Sequence, residues 1–394
     1  MRKYALITFG CKVNQYESQK IAASLSPDAF CPVDDWHEAD IIIVNSCVVT
    51  QKSETKNRRL IRKMKRENPD AFLVAVGCLA EMGPVEGADR VVGSRDKVEK
   101  ILELFHAGPV RLLDSFGEKT RAFIKIQDGC NQFCSYCIIP YTRGRESYVP
   151  VEKIKREAQS IIRNGYREIV LTGIHLGRHP ELTGLVEMIA ELPGLDRLRL
   201  SSIEIIEIKS ELLTLMRDHP KVMGHLHIPL QSGSGRILEA MNRPYSEAQM
   251  YAKLDEIRAF LPSGGLTTDM IAGFPGERTE DREQSAHVIR EYAFHRVHLF
   301  PFSPRPGTKA ALLAGHLIRE EMDEALALIK KAEEEGKAAF VRRWSGNDTS
   351  VLVEEKTKKG LFEGYTPEYL RVRIAQNCEL NTIVPVTLSG DMIL

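Results

Sequence analysis

The sequence predicts an α/β protein of three units: an amino-terminal α/β domain over 1–106, a (β/α)6 partial barrel over 117–345 and a small carboxyl-terminal β-barrel over 346–394. Three observations carry this reading. Three short apolar runs near the start each end at a Cys, the middle alternates six apolar runs with amphipathic segments, and the tail changes to short β runs broken by turns. The length of 394 residues suits about two to three domains, and 43% hydrophobic residues can bury real cores.

The first unit repeats one pattern. The runs Tyr4 to Gly10, Ile41 to Ser46 and Phe72 to Gly77 are β-branched-rich, each is followed at once by Cys11, Cys47 or Cys78, and each leads into a helix-like stretch. That is how a buried parallel strand of a βα unit reads. Ligands of such sheets gather outside the carboxyl ends of the strands, so three Cys placed there should converge. A single Cys at such a place is equally well a buried structural residue; three at equivalent places point to a shared ligand. Cys31 and Cys378 follow no such rule and read as incidental.

Between the second and third runs, Lys52 to Arg66 has helix length and carries eight basic residues against one acidic. Such a run is either a solvated face or a patch that contacts phosphates. After Arg90 to Gly93 and a helix ending near Phe105, the stretch from about 107 to 120 reads as a linker.

The middle unit is expected to hold strands at Phe123 to Gln127, Glu168 to Gly173, Arg197 to Ser202, His225 to Leu230, Leu266 to Ala272 and Arg296 to Phe302. Helical segments such as Val151 to Asn164, Glu181 to Leu192 and Asp281 to Tyr292 separate them. Six βα repeats imply a curled parallel sheet with its chemistry at the strands' carboxyl ends. Just past the first strand lie Cys130, Cys134 and Cys137, a CxxxCxxC loop. A structural zinc site is closed by four ligands, whereas a four-iron cluster held by three Cys keeps one iron open. A zinc loop with a remote fourth ligand is the alternative. Gly173 and His175, then Gln231 and Ser232, then Gly273 fall at the same mouth, where backbone could approach a cofactor closely. A lone His such as His175 is more often an ordinary hydrogen-bonded side chain than a ligand.

A long helical segment, Leu317 to Arg343, carries the chain away from the barrel. The tail runs Val351 to Val353, Tyr369 to Ile374 and Ile383 to Leu388 suggest a small antiparallel barrel of the oligonucleotide-binding kind, or equally a structural cap.

With Tyr136 directly before its third Cys, the loop resembles the radical S-adenosylmethionine (SAM) signature. Together with Thr8 to Ser18, Ile139 to Gly144, His227 to Ser234 and Phe300 to Thr308, nearly the whole chain resembles the radical SAM methylthiotransferase family, whose tail is a TRAM barrel. Within it, the start around Cys11 resembles the branch acting on N6-threonylcarbamoyladenosine (t6A) beside the tRNA anticodon. The resemblance implies two 4Fe-4S clusters, an auxiliary one on Cys11, Cys47 and Cys78 and a SAM-cleaving one on Cys130, Cys134 and Cys137. It implies SAM as cofactor, with Gly173, Gln231, Ser232 and Gly273 as candidate contacts, and methylthio transfer to C2 of the adenine at position 37. Implied partners are the tRNA anticodon stem-loop and an electron donor such as flavodoxin or ferredoxin. Ile205 departs from the pattern, standing where the family often has Pro, and the tail is short for a TRAM domain.

Lys plus Arg equal Asp plus Glu at 54 each, so any nucleic-acid surface must be local. No apolar run reaches the roughly 18 residues a membrane span needs, and a cytoplasmic monomer is expected. Alternatives are the same chemistry on isopentenyladenosine of tRNA or on a ribosomal-protein side chain, and, in another class, a non-catalytic iron-sulfur RNA-binding protein.

Overall fold

The computed structural model describes residues 1–117 and 119–394. Its first unit is a parallel sheet of β1 (Arg2–Thr8), β2 (Phe30–Pro32), β3 (Ile41–Ser46), β4 (Phe72–Gly77) and β5 (Arg90–Val92), in the order β2-β1-β3-β4-β5. Helices α1 (Lys12–Ser24), α2 (Gln51–Glu67) and α3 (Lys97–Phe105) cover it. Every residue of β3 is buried, which explains its uninterrupted apolar character in the centre of a two-sided sheet. The edge strand β2 is short and breaks no apolar pattern, so the sequence did not reveal it; Cys31 lies on it.

The second unit follows from β6 (Arg121–Lys125), β7 (Gln127–Asp128), α4 (Ile139–Arg143), β8 (Ser147–Tyr148), α5 (Val151–Arg163), β9 (Glu168–Thr172), α6 (Leu182–Ala190) and β10 (Arg197–Leu200). It continues through α7 (Ser210–Asp218), β11 (His225–His227), α8 (Gly235–Ala240), α9 (Glu247–Phe260), β12 (Gly265–Ala272), α10 (Thr279–Glu291) and β13 (Arg296–Pro301). Strands β6, β9 and β10 pair in parallel, as do β11, β12 and β13. Parallel bridges Leu198 to Val222 and Ser202 to His227 join the two sets into one six-stranded arc. All six strands stand within a few residues of where the apolar runs put them. The fourth stops at His227, before Pro229, which has no N–H for the ladder, and pairing resumes only at Gln231 against Met270.

The expected linker is not a free tether. Leu113 and Phe116 are fully buried in the barrel's core, and Tyr166 Oη accepts from the Phe116 N–H. Burying two such side chains is worth about 3 to 6 kcal/mol, enough to fix this segment to the barrel. Helix α11 (Arg319–Trp344) then leads to an antiparallel sheet of β14 (Asp348–Lys356), β15 (Phe362–Tyr365), β16 (Arg371–Ile374) and β17 (Ile383–Thr387), ordered β16-β15-β14-β17. A bridge from Val372 to Ile393 brings the chain's end back to the far edge and curls the sheet. This unit closes the amino-terminal end of the barrel: Arg197 donates to Tyr365 O at 2.8 Å and Arg199 to Pro367 O at 2.9 Å. Among the described residues, no helix is long and apolar enough to cross a membrane.

Candidate functional site

Cys11, Cys47 and Cys78 each follow the carboxyl end of a strand, and those strands, β1, β3 and β4, are neighbours in the sheet. Register keeps the ends level, Thr8 opposite Asn45 and Ser46 opposite Gly77, so the three thiols leave one edge. The approach is so close that glycine is needed before two of them. Gly10 has φ +97°, and a Cβ there would lie 2.6 Å from Cys47 Cβ; Gly77 has φ +96°, and a Cβ would lie 2.8 Å from Asn45 Oδ1. Buried amides hold the loops in place. Asn14 Nδ2 donates to Phe9 O and Ser46 O at 2.8 and 2.9 Å, and Asn57 Nδ2 donates to Cys47 O at 2.8 Å. Burial pushes the Cys47 thiol up to about 11, opposed by the Val49 backbone and reinforced by Cys78 and Cys11. A thiolate there needs a cation beside it, which a metal centre supplies.

The CxxxCxxC loop leaves β7 at the carboxyl end of β6. Gln127 ties it to the neighbouring strand's end: Nε2 donates to Gly129 O at 2.8 Å, and Oε1 accepts from the His175 N–H at 2.6 Å. Farther along, Ser135 N–H donates to Met241 O and Ser135 O accepts from Ala310 N–H, so the loop is pinned to two other elements at 2.9 and 2.7 Å. Donors point at the sulfurs: Gln132 N–H at 3.3 Å from Cys130 Sγ, Gln132 Nε2 and Arg243 Nη1 at 3.4 and 3.6 Å from Cys134 Sγ. Burial pushes the Cys137 thiol up to about 12, Cys134 adding to the effect.

Each triad offers three thiols, a donor set that suits a four-iron cluster with one iron left open. Thiolates around one zinc stand about 4 Å apart. Among the described residues, the His, Cys, Asp and Glu groups whose ligand atoms all lie within 4.8 Å of one another are Cys130 with Glu146 and His175, and His227 with Asp269 and His298; neither triad of thiols is so tight. His175 is a buried neighbour of the loop, Nδ1 3.4 Å from Cys130 Sγ and Nε2 2.9 Å from Glu207 Oε1.

A cavity of about 1810 Å³ opens where the three units meet. Cys11 and Cys47 line it from the first unit, Gly173, Arg199 and Asp269 from the barrel, and Lys356, Tyr365 and Tyr369 from the tail. At its wall, His227 and His298 share Asp269 Oδ1, each at 3.1 Å. Burial works against that carboxylate, but hydrogen bonds from the two imidazoles outweigh it and hold it far below its ordinary range. Of the other mouth residues, Gly173 lines the cavity and lies against Gln127, while Gln231 is held at φ +71° by the bridge to Met270. Ser232 and Gly273 face packing instead: Ser232 Oγ is 3.3 Å from Ser285 Oγ, and Gly273 leaves room for Met322.

Comparison with known proteins bears on this arrangement. Residues 124–289 match the radical SAM superfamily model and residues 3–93 match a family described as the uncharacterized protein family UPF0004. Over 96% of its length the chain is 34% identical to the threonylcarbamoyladenosine tRNA methylthiotransferase MtaB of Thermotoga maritima, covering 92% of that protein. The MtaB of Chlamydia pneumoniae is 36% identical over 98% of this chain and 95% of its own.

The chain belongs to the radical SAM methylthiotransferase family.

A second branch of this family is also close. The tRNA-2-methylthio-N(6)-dimethylallyladenosine synthase of Thermodesulfovibrio yellowstonii is 30% identical over 98% of this chain and 97% of its own. In fold, this methylthiotransferase is similar to the radical SAM methyltransferase TsrM of Kitasatospora setae, with TM-score 0.61 at 13% identity over 84% of this chain and 89% of the other.

Several residues of the methylthiotransferase's site gave no signal in sequence. Arg243 sits between Cys134 and the half-buried Glu204, and Lys97 reaches Glu17 at 2.6 Å beneath the amino-terminal triad. Isolated charges in polar stretches look the same whether exposed or buried. Ile205, at the family's Pro position, is fully buried, so an apolar contact is kept there. The basic helix α2 divides on inspection: Arg58 pairs with Glu54, Arg62 with Glu86 and Lys65 with Asp89. Among the described residues, Lys52, Lys56 and Arg59 have no acidic partner, and Lys52 lines the cavity. In the tail, Arg371 and Arg373 are both paired to Glu363, which reduces the free charge offered there.

Proposed function

We propose that this enzyme transfers a methylthio group to C2 of N6-threonylcarbamoyladenosine at position 37 of tRNA, using two SAM molecules and two 4Fe-4S clusters. The observation that carries the reading is the large cavity walled by Cys11 and Cys47 on one side and by the barrel's lumen on the other. Cys11, Cys47 and Cys78 would hold the auxiliary cluster, and Cys130, Cys134 and Cys137 the cluster that binds SAM. When bound, these groups supply reductive cleavage of SAM, giving the radical that attacks C2, and the sulfur that is methylated and delivered.

The chain's own residues bind and orient. Gln127 fixes the loop against β9, and Gly173 lets substrate or SAM approach the backbone at the cavity wall. Gln231, Ser232 and Gly273 remain candidates for SAM contact through their backbone at the mouth, since the side chain of Ser232 is otherwise engaged. The lining carries Lys12, Lys52, Lys119, Arg121, Arg199 and Arg296 among its cations against Asp269, Glu354 and Glu355, which suits an anionic partner such as the tRNA anticodon stem-loop. The t6A branch is favoured by the names of the relatives at 33 to 36% identity. We further infer a cytoplasmic monomer served by an electron donor such as flavodoxin or ferredoxin.

Mass spectrometry of tRNA nucleosides from a deletion strain tests the reading. Loss of the 2-methylthio form of t6A, restored by the gene, is expected. If that nucleoside persists while 2-methylthio-isopentenyladenosine disappears, the substrate belongs to the other branch.

A further inference from the structure

Lys12 directly follows Cys11, opens helix α1 and lines the cavity half-buried. Other cations deep in the cavity are engaged: Arg121 with Glu354 at 2.7 Å and Arg199 with Glu168 at 3.0 Å. The two imidazoles of the wall share Asp269. Among the described residues, Lys12 has no carboxylate within ion-pair reach and no hydrogen-bond acceptor. Its charge is nevertheless felt across the lumen. Tyr369, whose ring stacks on His225 and on Tyr365 at 4.6 Å each, is lowered by Arg121 and then Lys12 against the opposing effect of burial. An unpaired ammonium in the lining of a cavity, next in sequence to a thiol of the amino-terminal triad, calls for an anion.

The substrate proposed above carries one in the right place. A threonylcarbamoyl group on N6 folds so that its threonine-side urea N–H donates to ring N1 in a six-membered ring, laying the substituent along the N1–C2 edge of the base. Its carboxylate therefore ends on the side of C2. If C2 is presented to the edge from which Cys11 leaves, that carboxylate comes within the sweep of a four-carbon ammonium stem anchored next to Cys11.

We propose that Lys12 reads the carboxylate of the threonylcarbamoyl group, and so selects a base bearing an acidic N6 substituent over one bearing an apolar tail. The inference rests on the t6A reading. Selection acts in both directions, because an apolar N6 tail would exclude water from the ammonium and leave it without a counter-charge. Arg296 and Lys52 are the rival readers, since they too line the cavity, but they stand on β13 and α2 rather than beside Cys11.

The test is binding of one anticodon stem-loop sequence to the anaerobically reconstituted full chain, by fluorescence anisotropy. Position 37 carries t6A, its carboxyl methyl ester or unmodified adenosine. The wild type should prefer the acid to the ester by roughly ten- to hundredfold, the range of a hydrogen bond to a charged group. Lys12→Gln should bring that ratio close to one, and Lys12→Arg, which keeps the charge, should retain most of it. The ratio is taken within one protein, so a general loss of cluster or of affinity cancels. A wild-type ratio near one overturns the proposal, as does a ratio that survives Lys12→Gln or one that Arg296→Gln alone abolishes. Failure of the t6A reading looks different: the wild type then shows no preference for t6A over unmodified adenosine.

Discussion

Arg143, shortly after the third thiol of the CxxxCxxC loop, donates Nη2 to Glu17 Oε2 at 3.2 Å, and Glu17 lies on the helix that Cys11 begins. The two side chains are 1% and 2% exposed. Arg143 also reaches Asp128 at 2.8 Å and Asn14 at 2.5 Å, while Glu17 takes Lys97 and Lys125 at 2.6 and 2.7 Å. One buried network thus ties both groups of thiols to a common frame. It fixes how the two groups of thiols stand to one another.

Glu17→Gln should expose the worth of this frame. Burial opposes ionisation of Glu17, but the charges of Arg143, Lys125 and Lys97 outweigh it and hold the carboxyl well below its ordinary 4.5. Removing the charge leaves buried Lys97 without a carboxylate and Arg143 and Lys125 with Asp128 alone, a loss of about 3 to 5 kcal/mol. A folded-state value depressed below the unfolded one stabilises fully above the unfolded value and less as pH falls toward the folded one. The gap between wild type and Glu17→Gln in urea midpoint should therefore be level from pH 7 to about 5 and narrow below about 4.5. Equal midpoints at pH 7, or a gap that stays level into strong acid, would contradict this account.

Two thiol groups predict two clusters. Anaerobically purified protein should contain about eight irons per chain, falling by about half when Cys130, Cys134 and Cys137 are changed to Ala together. Iron near four in the intact protein, or one zinc per chain, removes the two-cluster model.

The groups are also expected to separate in function. With Cys11, Cys47 and Cys78 all changed to Ala, reductive SAM cleavage to 5'-deoxyadenosine should remain measurable, while methylthiolated nucleoside disappears. Product at the wild-type rate from that triple variant would make the amino-terminal thiols structural.

Periodicity and spacing exposed most of this architecture. Strands such as β3, β4 and β9 are apolar because they are buried on both faces, and that burial is written directly in composition. Strands β2 and β15 were not legible: Phe30–Pro32 is too short to show alternation, and Phe362–Tyr365 carries Glu363 and Gly364 in place of a β-branched run. The positions of the six Cys were plain because a Cys just past an apolar strand run and CxxxCxxC are local patterns. The frame that holds them was not, since Glu17, Lys97, Lys125 and Arg143 are far apart in the chain and only tertiary packing makes them neighbours. For the same reason the basic run of α2 looked uniform, although five of its eight basic residues are paired, two of them, Arg62 and Lys65, with acids from other segments.

That division sharpens a test of the RNA surface. Lys52, Lys56 and Arg59 are the residues of α2 without an acidic partner among the described residues, and they start from the cavity's rim at Lys52. Arg58 is held by Glu54, which also takes Arg305, and Arg62 is held by Glu86. Each lost phosphate contact flattens the log-log salt dependence of binding by roughly 0.7 to 0.9. Lys52, Lys56 and Arg59 changed together to Glu should thus weaken tRNA binding and reduce the slope by about two to three. Arg58 and Arg62 changed to Glu should move it less, because those charges are already partly spent. Filter-binding titrations across salt, with iron per chain measured as a control for folding, read both variants. An unchanged slope in the triple variant would make α2 a solvated face and leave RNA retention to the tail and the cavity lining. A larger loss from Arg58 and Arg62 would mean that RNA displaces Glu54 and Glu86, so that the ion pairs seen here are a resting arrangement.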